Sequence, residues 1–374
     1  MLLTLLACSS SFNSTPDTSP LSELIAQGIE IIRDQYLVEL ASDADVDALL
    51  AEFPDAEVLF RLKQQPILVL RLPEKRMAQL MENPAILSIE ADHIVSVAGA
   101  QAQGSCGSTS QQVPEGITRL GSPVSTGAGI KVGVIDTGVD SSHEDILVAG
   151  SWNFSDSTSA EDVYGHGTHV AGTIAAQNNS LGVVGVAPDA EIYSFKVLND
   201  AGSGSWGSVA AGVDAAVSEG MDVINLSLGG QGNSRVLRSS ITNAWNAGVT
   251  VVVAAGNDGR PVHGYSPAMY DGYVITVSAW SVATEQFAGW SNYGRTVDLA
   301  GPGVDICSTL PGDSYGIYSG TSMATPHVAG AAALYLESHP SETPAQVLAG
   351  LVAGAEALPV TSRHAEGLVQ VSGL

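Results

Sequence analysis

A chain of 374 residues with 39 acidic against 14 basic side chains carries a formal charge of −25. That length can hold more than one domain and a large core, and the charge repels nucleic acid and anionic membrane surfaces, which argues against both as partners. Only four of the bases are lysine. The balance fits either a merely soluble surface or a salt-loving, marine source in which high salt screens acidic self-repulsion.

At the N-terminus, Leu5-Leu6-Ala7-Cys8 fits a bacterial lipobox with Cys8 as the acylated residue. A basic leading region is missing and seven residues are too few for a whole signal, so a start further upstream would be needed to supply them. Residues 9–20, rich in Ser, Thr and Pro, read as a tether, and residues 1–30 together form a leader. No hydrophobic run is long enough to span a membrane. Residues 31–97 have a pattern of their own. A strand is expected over 35–40, a helix over 45–53, strands over 56–62 and 66–72, a helix over 74–82 and a strand over 86–91. The order β-α-β-β-α-β is the ferredoxin-like arrangement. The stretch that follows, Ala98-Gly99-Ala100-Gln101-Ala102-Gln103-Gly104-Ser105, is small and polar, and reads as a flexible linker open to cleavage.

Beyond residue 111, apolar runs over 130–135, 192–197, 221–226, 250–254, 274–278 and 297–300 alternate with helical stretches near 205–218, 235–247 and 322–337. Such alternation implies a parallel sheet covered by helices on both faces. Three segments carry chemistry. Ile130-Lys131-Val132-Gly133-Val134-Ile135-Asp136-Thr137-Gly138 is an apolar strand ending in an acid and a glycine turn. Gly165-His166-Gly167-Thr168-His169 places a histidine between glycines before a helix-like run. Gly320-Thr321-Ser322-Met323-Ala324-Thr325-Pro326-His327 puts Ser322 at a helix start, where free N–H groups and the helix dipole favour negative charge. Pro326 is expected within about the first turn, where its missing N–H costs least. A lone serine at a helix start is ordinarily a cap. Together with a base and an orienting acid it is an acyl-transfer nucleophile.

Several alternatives lack their partners. An aspartic protease needs two Asp-Thr-Gly-type carboxylates, and only Asp136 offers one. No Gly-x-Ser-x-Gly elbow and no His-Glu-x-x-His helix is present. His169 and His327 read as structural histidines. A catalytically silent binding or scaffold protein is the competing function class, and the complete set of residues speaks against it.

On these motifs the chain resembles the subtilisin-type serine proteases, nearest the proteinase K and aqualysin branch, from about Gln111 to the C-terminus. The order Asp136, His166, Ser322 is the order found in subtilisin. The resemblance implies that Asp136 orients His166, that His166 is the general base and acid, and that Ser322 is the nucleophile. Asn257, in Ala254-Ala255-Gly256-Asn257, matches the oxyanion donor. Gly202-Ser203-Gly204 and Ser227-Leu228-Gly229-Gly230 match the segments that flank a bound peptide, pairing with it as added strands. Gly229 and Ala254 suggest an open, apolar first pocket and broad specificity. Taken alone, Gly202–Gly204 would be a turn.

The same resemblance implies calcium. Around the polar turn Gln177-Asn178-Asn179-Ser180-Leu181-Gly182-Val183, the matched ligands are the side chains of Gln111, Asp145 and Asn179 and the carbonyls of Gln177, Leu181 and Val183. One carboxylate among neutral oxygens suits Ca²⁺. Because Gln111 belongs to the N-terminal segment, the site is expected to form fully only after processing. Asp298 is a candidate for a second, weaker site. Residues 31–97 resemble the family's propeptide, a chaperone and inhibitor, with residues 98–110 as the processing linker and 111–374 as the catalytic domain. Self-cleavage is expected between Val97 and Ser110. A Cys106–Cys307 disulfide is expected as one alternative to two free thiols, and would put the cut before Cys106. The implied protein is a secreted, monomeric endopeptidase acting on proteins and peptides, anchored to the envelope if Cys8 carries lipid.

Overall fold

The computed structural model describes residues 29–97, 103–106 and 110–374; Cys8 and the tether over 9–20 lie outside them. Strand β1 (Ile31–Leu40), helix α1 (Val46–Glu52), strands β2 (Glu57–Arg61) and β3 (Ile67–Arg71), helix α2 (Glu74–Met81) and strand β4 (Ile86–Val97) follow in the expected order. They pair antiparallel as β4-β1-β3-β2, the ferredoxin-like arrangement. Strand alternation splits the side chains between two cores. Tyr36, Val38, Leu40, Leu68 and Leu70 pack under the two helices with Leu49, Phe53 and Leu80. Leu37, Val69 and Val95 face the other way and join the core of the larger body.

The chain continues through β5 (Gly104–Ser105), α3 (Glu115–Leu120), β6 (Lys131–Asp136), β7 (Val148–Asn153), α4 (His166–Ala175), β8 (Glu191–Lys196), β9 (Ser203–Ser205) and α5 (Trp206–Ser218). Next come β10 (Val223–Leu226), β11 (Leu228–Gln231), α6 (Arg235–Asn246), β12 (Thr250–Ala254), β13 (Tyr265–Ser266), β14 (Ile275–Ser281) and β15 (Gln286–Phe287). The last elements are β16 (Leu299–Pro302), β17 (Ile306–Leu310), β18 (Ser314–Tyr318), α7 (Thr321–Ser338), α8 (Pro344–Gly354) and β19 (Gly367–Leu368).

One sheet runs β7-β8-β6-β10-β12-β14-β16-β19, all parallel, with β15 added antiparallel to β14. Strands β10 and β12 are buried at every residue, as continuous apolar runs require when both faces are covered. Helices α4 and α7 contribute Val170, Ile174, Met323 and Val328 to the core on one face. Helices α5 and α6 contribute Val209, Val213, Leu237 and Ile241 to the core on the other. From β6 the chain first moves outward through β7 and β8, then returns to β10 on the opposite side. The strand order therefore reverses between β6 and β10, which opens a crevice at their carboxyl ends.

Two boundaries differ from expectation for one reason. The last strand of the N-terminal unit runs to Val97 rather than ending at 91, because residues 94–97 pair antiparallel with both β9 and β11. The linker is also less free than its composition suggests. Residues 104–105 pair with β18, and Cys106 is joined to Cys307 of β17 with a Cα–Cα distance of 6.0 Å. A covalent tie over so long a loop stabilises mainly by restricting the unfolded chain. The double variant Cys106→Ser/Cys307→Ser is expected to lose about 2–4 kcal/mol of stability, read as a lower midpoint in thermal unfolding of the full chain.

Candidate active site

Asp136 is the last residue of β6 and His166 the first of α4. His166 Nδ1 and Asp136 Oδ1 are 2.7 Å apart, and both side chains are fully buried. The Thr137 N–H donates to the same Oδ1 at 2.7 Å. Gly167 allows this approach: a Cβ there would lie 1.9 Å from the Gly138 carbonyl oxygen. His166 Nε2 has no hydrogen-bond partner among the described residues.

Ser322 is the second residue of α7 and is fully buried. Its hydroxyl donates to the Ser227 carbonyl at 2.9 Å, and the Ser227 hydroxyl donates back to the Ser322 carbonyl at 2.8 Å. Pro326 explains the second bond. It is the sixth residue of α7, just past the first turn, and its missing N–H would otherwise bond to the carbonyl of residue 322. That carbonyl is left for Ser227, which ties the start of α7 to the end of β10. Asn257 Oδ1 accepts the Thr321 N–H and the Thr321 hydroxyl, each at 2.9 Å. The carboxamide is thereby fixed with Nδ2 turned away from Thr321.

The predicted peptide-flanking residues line a slot that already holds a strand. Ser96 pairs with Ser203 and Val95 with Gly204, and the Val97 N–H donates to the Gly202 carbonyl at 3.1 Å. On the other side, Val97 pairs with Leu228 and Ser96 with Gly229. Ala254 is buried at the end of β12. Residues 94–97 thus lie between β9 and β11, with Ser227 one position beyond the Leu228–Val97 pair.

The six residues of the calcium turn also come together. Gln111 Nε2 donates to the carbonyls of Gln177 at 2.8 Å and Val183 at 3.5 Å. Asn179 Nδ2 donates to Asp145 Oδ1 at 2.8 Å, while the Leu181 N–H donates to Asn179 Oδ1. Asp145 is fully buried, and burial pushes its carboxyl up. The residues fit a hard cation: the set offers one carboxylate, two carboxamides and three backbone carbonyls. Amide N–H groups stand against four of these oxygens, the Gln177 and Val183 carbonyls, Asp145 Oδ1 and Asn179 Oδ1. In the full chain Gln111 turns its Nε2, not its oxygen, to the Gln177 and Val183 carbonyls. The 103–106 anchor on β17 and β18 holds this segment on the catalytic body in the uncut chain. Asp298 is not part of this group. Its Oδ2 accepts the Thr276 N–H at 2.8 Å, and burial pushes its carboxyl up to about 7.

His169 and His327 pack as structural groups. The His169 ring stacks on Tyr318 at 4.5 Å, with Nε2 on the Ile306 and Gly316 carbonyls, and burial lowers its pKa to about 3. His327 bonds the Met323 carbonyl through Nδ1, and burial lowers it to about 4. Sequence reasoning missed several residues of the site. Asp162 lies under the start of α4. Lys196 is fully buried with Nζ on the Thr137 carbonyl, and Tyr164 has its ring against Gly202. Glu90 and Asp92 cap α6 and α5 from the N-terminal unit: Glu90 accepts from Ser234 Oγ and the Arg235 N–H, and Asp92 from the Gly207 N–H. An acid shortly before His166 was the one local signal available.

Comparison with known proteins agrees with this geometry. The chain is 42% identical over 308 residues to subtilisin E of Bacillus subtilis (strain 168), covering 80% of this chain and 78% of that protein. It is 46% identical over 272 residues to a subtilisin of Bacillus pumilus, covering 70% and 98%. An alkaline protease of Alkalihalobacillus alcalophilus is 40% identical over 380 residues, 98% of this chain and 95% of its own length. Among solved structures, a cold-adapted subtilisin-like serine proteinase matches with a TM-score of 0.62 at 36% identity, over 68% of this chain and 92% of its own. Fervidolysin from Fervidobacterium pennivorans, a keratinolytic enzyme related to subtilisin, matches with a TM-score of 0.79 at 28% identity, over 92% of this chain and 61% of its own. The subtilase family model matches residues 127–369, and with relatives above 40% identity over most of both chains, this protein belongs to the subtilase family of serine proteases.

Proposed function

We propose that the chain is the autoinhibited precursor of a secreted endopeptidase, with residues 31–97 as propeptide, 98–110 as processing linker and 111–374 as catalytic domain. The observation that carries this reading is the strand 94–97 seated between β9 and β11 and ending beside Ser227, whose carbonyl holds the Ser322 hydroxyl. A peptide held by added strands is recognised through its backbone, so broad sequence tolerance follows. Gly229 and Ala254 favour an apolar side chain in the first pocket.

In the reaction Ser322 Oγ turns from Ser227 toward His166 Nε2 and gives up its proton there as Oγ attacks the scissile carbonyl. Asp136 holds the imidazole in the needed tautomer and favours the imidazolium that forms. The Ser322 backbone N–H at the start of α7 and the Asn257 amide stabilise the oxyanion. His166 then protonates the leaving amine, and a water repeats the sequence on the acyl-enzyme. The first substrate is the chain itself. Val97 is opposite Leu228, one position short of Ser227, so the expected cut falls one residue past Val97, between residues 98 and 99 of the 98–110 linker.

Gln111, Asp145, Gln177, Asn179, Leu181 and Val183 would hold Ca²⁺, which supplies a compact positive charge that ties the segment around Gln111 to the turn after α4. The mature enzyme is expected to act as a monomer on proteins and peptides. Lipid attachment at Cys8 would hold the uncut precursor, and not the enzyme released by the cut, at the cell envelope.

Ser322→Ala is expected to abolish both self-processing and casein cleavage; persistence of either overturns the assignment. N-terminal sequencing of the processed wild-type protein is expected to begin at Gly99, and a start at or beyond Gly107 would refute the register argument. In the processed enzyme, chelator is expected to lower the thermal midpoint by roughly 5 °C, the scale set by losing a ligand present at about 100 times its Kd. An unchanged midpoint removes the calcium assignment.

A further inference from the structure

We infer that Asp162 is a positioning residue for the reaction: it locks Asp136 and His166 together and adds a second buried carboxylate near Asp136. The inference rests on His166 being the base. Asp162 lies four residues before His166 and is 5% exposed. Its Oδ1 accepts the Thr137 hydroxyl at 2.9 Å and the Gly165 N–H at 2.8 Å. Its Oδ2 accepts the Thr168 N–H at 2.9 Å and the Thr168 hydroxyl at 2.7 Å.

These four bonds reach two elements. Gly165 and Thr168 bring the orphan N–H groups of the start of α4, which a negative charge satisfies well. Thr137 belongs to the strand side: it follows Asp136 and donates its N–H to Asp136 Oδ1. The Thr137 hydroxyl also accepts the Gly167 N–H at 2.9 Å, and its carbonyl is held by Lys196 Nζ. A helix cap alone needs only the bonds to α4. The bond to Thr137 makes Asp162 a clasp between the acid and the base.

The charge has a second consequence. The titratable and charged groups around Asp162 are Asp136 on β6, His166 on α4, Tyr164 before it, Tyr318 on β18 and, across Thr137, Lys196 on β8. Burial and the Asp136 charge push the Asp162 carboxyl up, and Asp162 in turn helps push the Tyr318 hydroxyl up. A proton arriving on His166 during catalysis is attracted by both carboxylates, so the charged intermediate gains more than the resting state. Thr137 supplies the mechanical half of this effect and Asp162 both halves.

The test uses the full chain and reads its first-order self-cleavage rate against pH. Asp162→Asn keeps the shape but exchanges one acceptor for a donor and removes the charge. It is expected to slow cleavage by about 10–100-fold, and to move the acid limb of the profile down by about one pH unit because the imidazolium loses an attractive partner. Thr137→Val breaks the clasp with the charge retained, so cleavage slows by about 10-fold with the acid limb in place, and Thr137→Ser restores the wild-type rate. With processed enzyme and a peptide substrate, kcat is expected to fall in Asp162→Asn while KM stays within about twofold. A rate within twofold of wild type and an unmoved acid limb in Asp162→Asn overturn the inference. If that variant does not fold, the Thr137 pair decides: equal rates in Thr137→Val and Thr137→Ser overturn it. A Ser322→Ala chain that still cleaves itself removes the functional reading instead, so the two failures are separate.

Discussion

The structure depends on bringing a carboxylate and an imidazole from two different elements to 2.7 Å inside a dry interior. An unpaired carboxylate there would be costly, and an imidazole left to rotate would lose the tautomer that makes it a base. The parallel sheet answers the first problem by ending β6 at the point where strand order reverses. The close, glycine-permitted approach of α4 to the loop after β6 answers the second. Thr137 and Asp162 then fasten the two ends together through polar atoms that are nearly all satisfied. Ser322 joins from a third element, with α7 tied to the end of β10 by the exchange of hydrogen bonds between Ser227 and Ser322 that Pro326 makes available.

The N-terminal unit uses the same surface physics in another form. Its sheet has a helix-covered face and a face set against the catalytic body, so neither is left in water. Its last strand fills the gap between β9 and β11, which would otherwise expose two unpaired edges at the mouth of the site. Glu90 and Asp92 add carboxylates to the starts of α6 and α5. Burial pushes Asp92 up to about 6, the expense of keeping a charge in that interface. The contact combines backbone pairing, helix ends and the apolar face of the sheet.

Much of this was legible in the chain. The β-α-β-β-α-β order, the alternation of apolar strands with helices, and the residues Asp136, His166 and Ser322 were readable, because hydrophobic period and glycine-flanked polar residues are local signals; Asn257 was picked out only by resemblance to the subtilisin-type proteases. The residues that support the site were less visible. Lys196 sits in a strand-like run, Thr137 looks like part of a turn, and Asp162 is one acid among 39; their roles come from partners 25 to 59 positions away.

By itself, then, the sequence determined the kind of chemistry, the fold class and the two-part organisation, since these follow from residue type and periodicity along the chain. Tertiary structure decided three further matters. It extended the strand ending at 91 to Val97, because β9 and β11 offer it hydrogen bonds. It drew residues 103–106 onto β17 and β18 and Gln111 against the turn after α4, because a disulfide and a short strand pair hold that segment in place. It also made Asp162 a clasp rather than a surface acid. Each of these rests on groups distant in sequence becoming neighbours in a buried space, where a hydrogen bond left unmade costs more than one made in water.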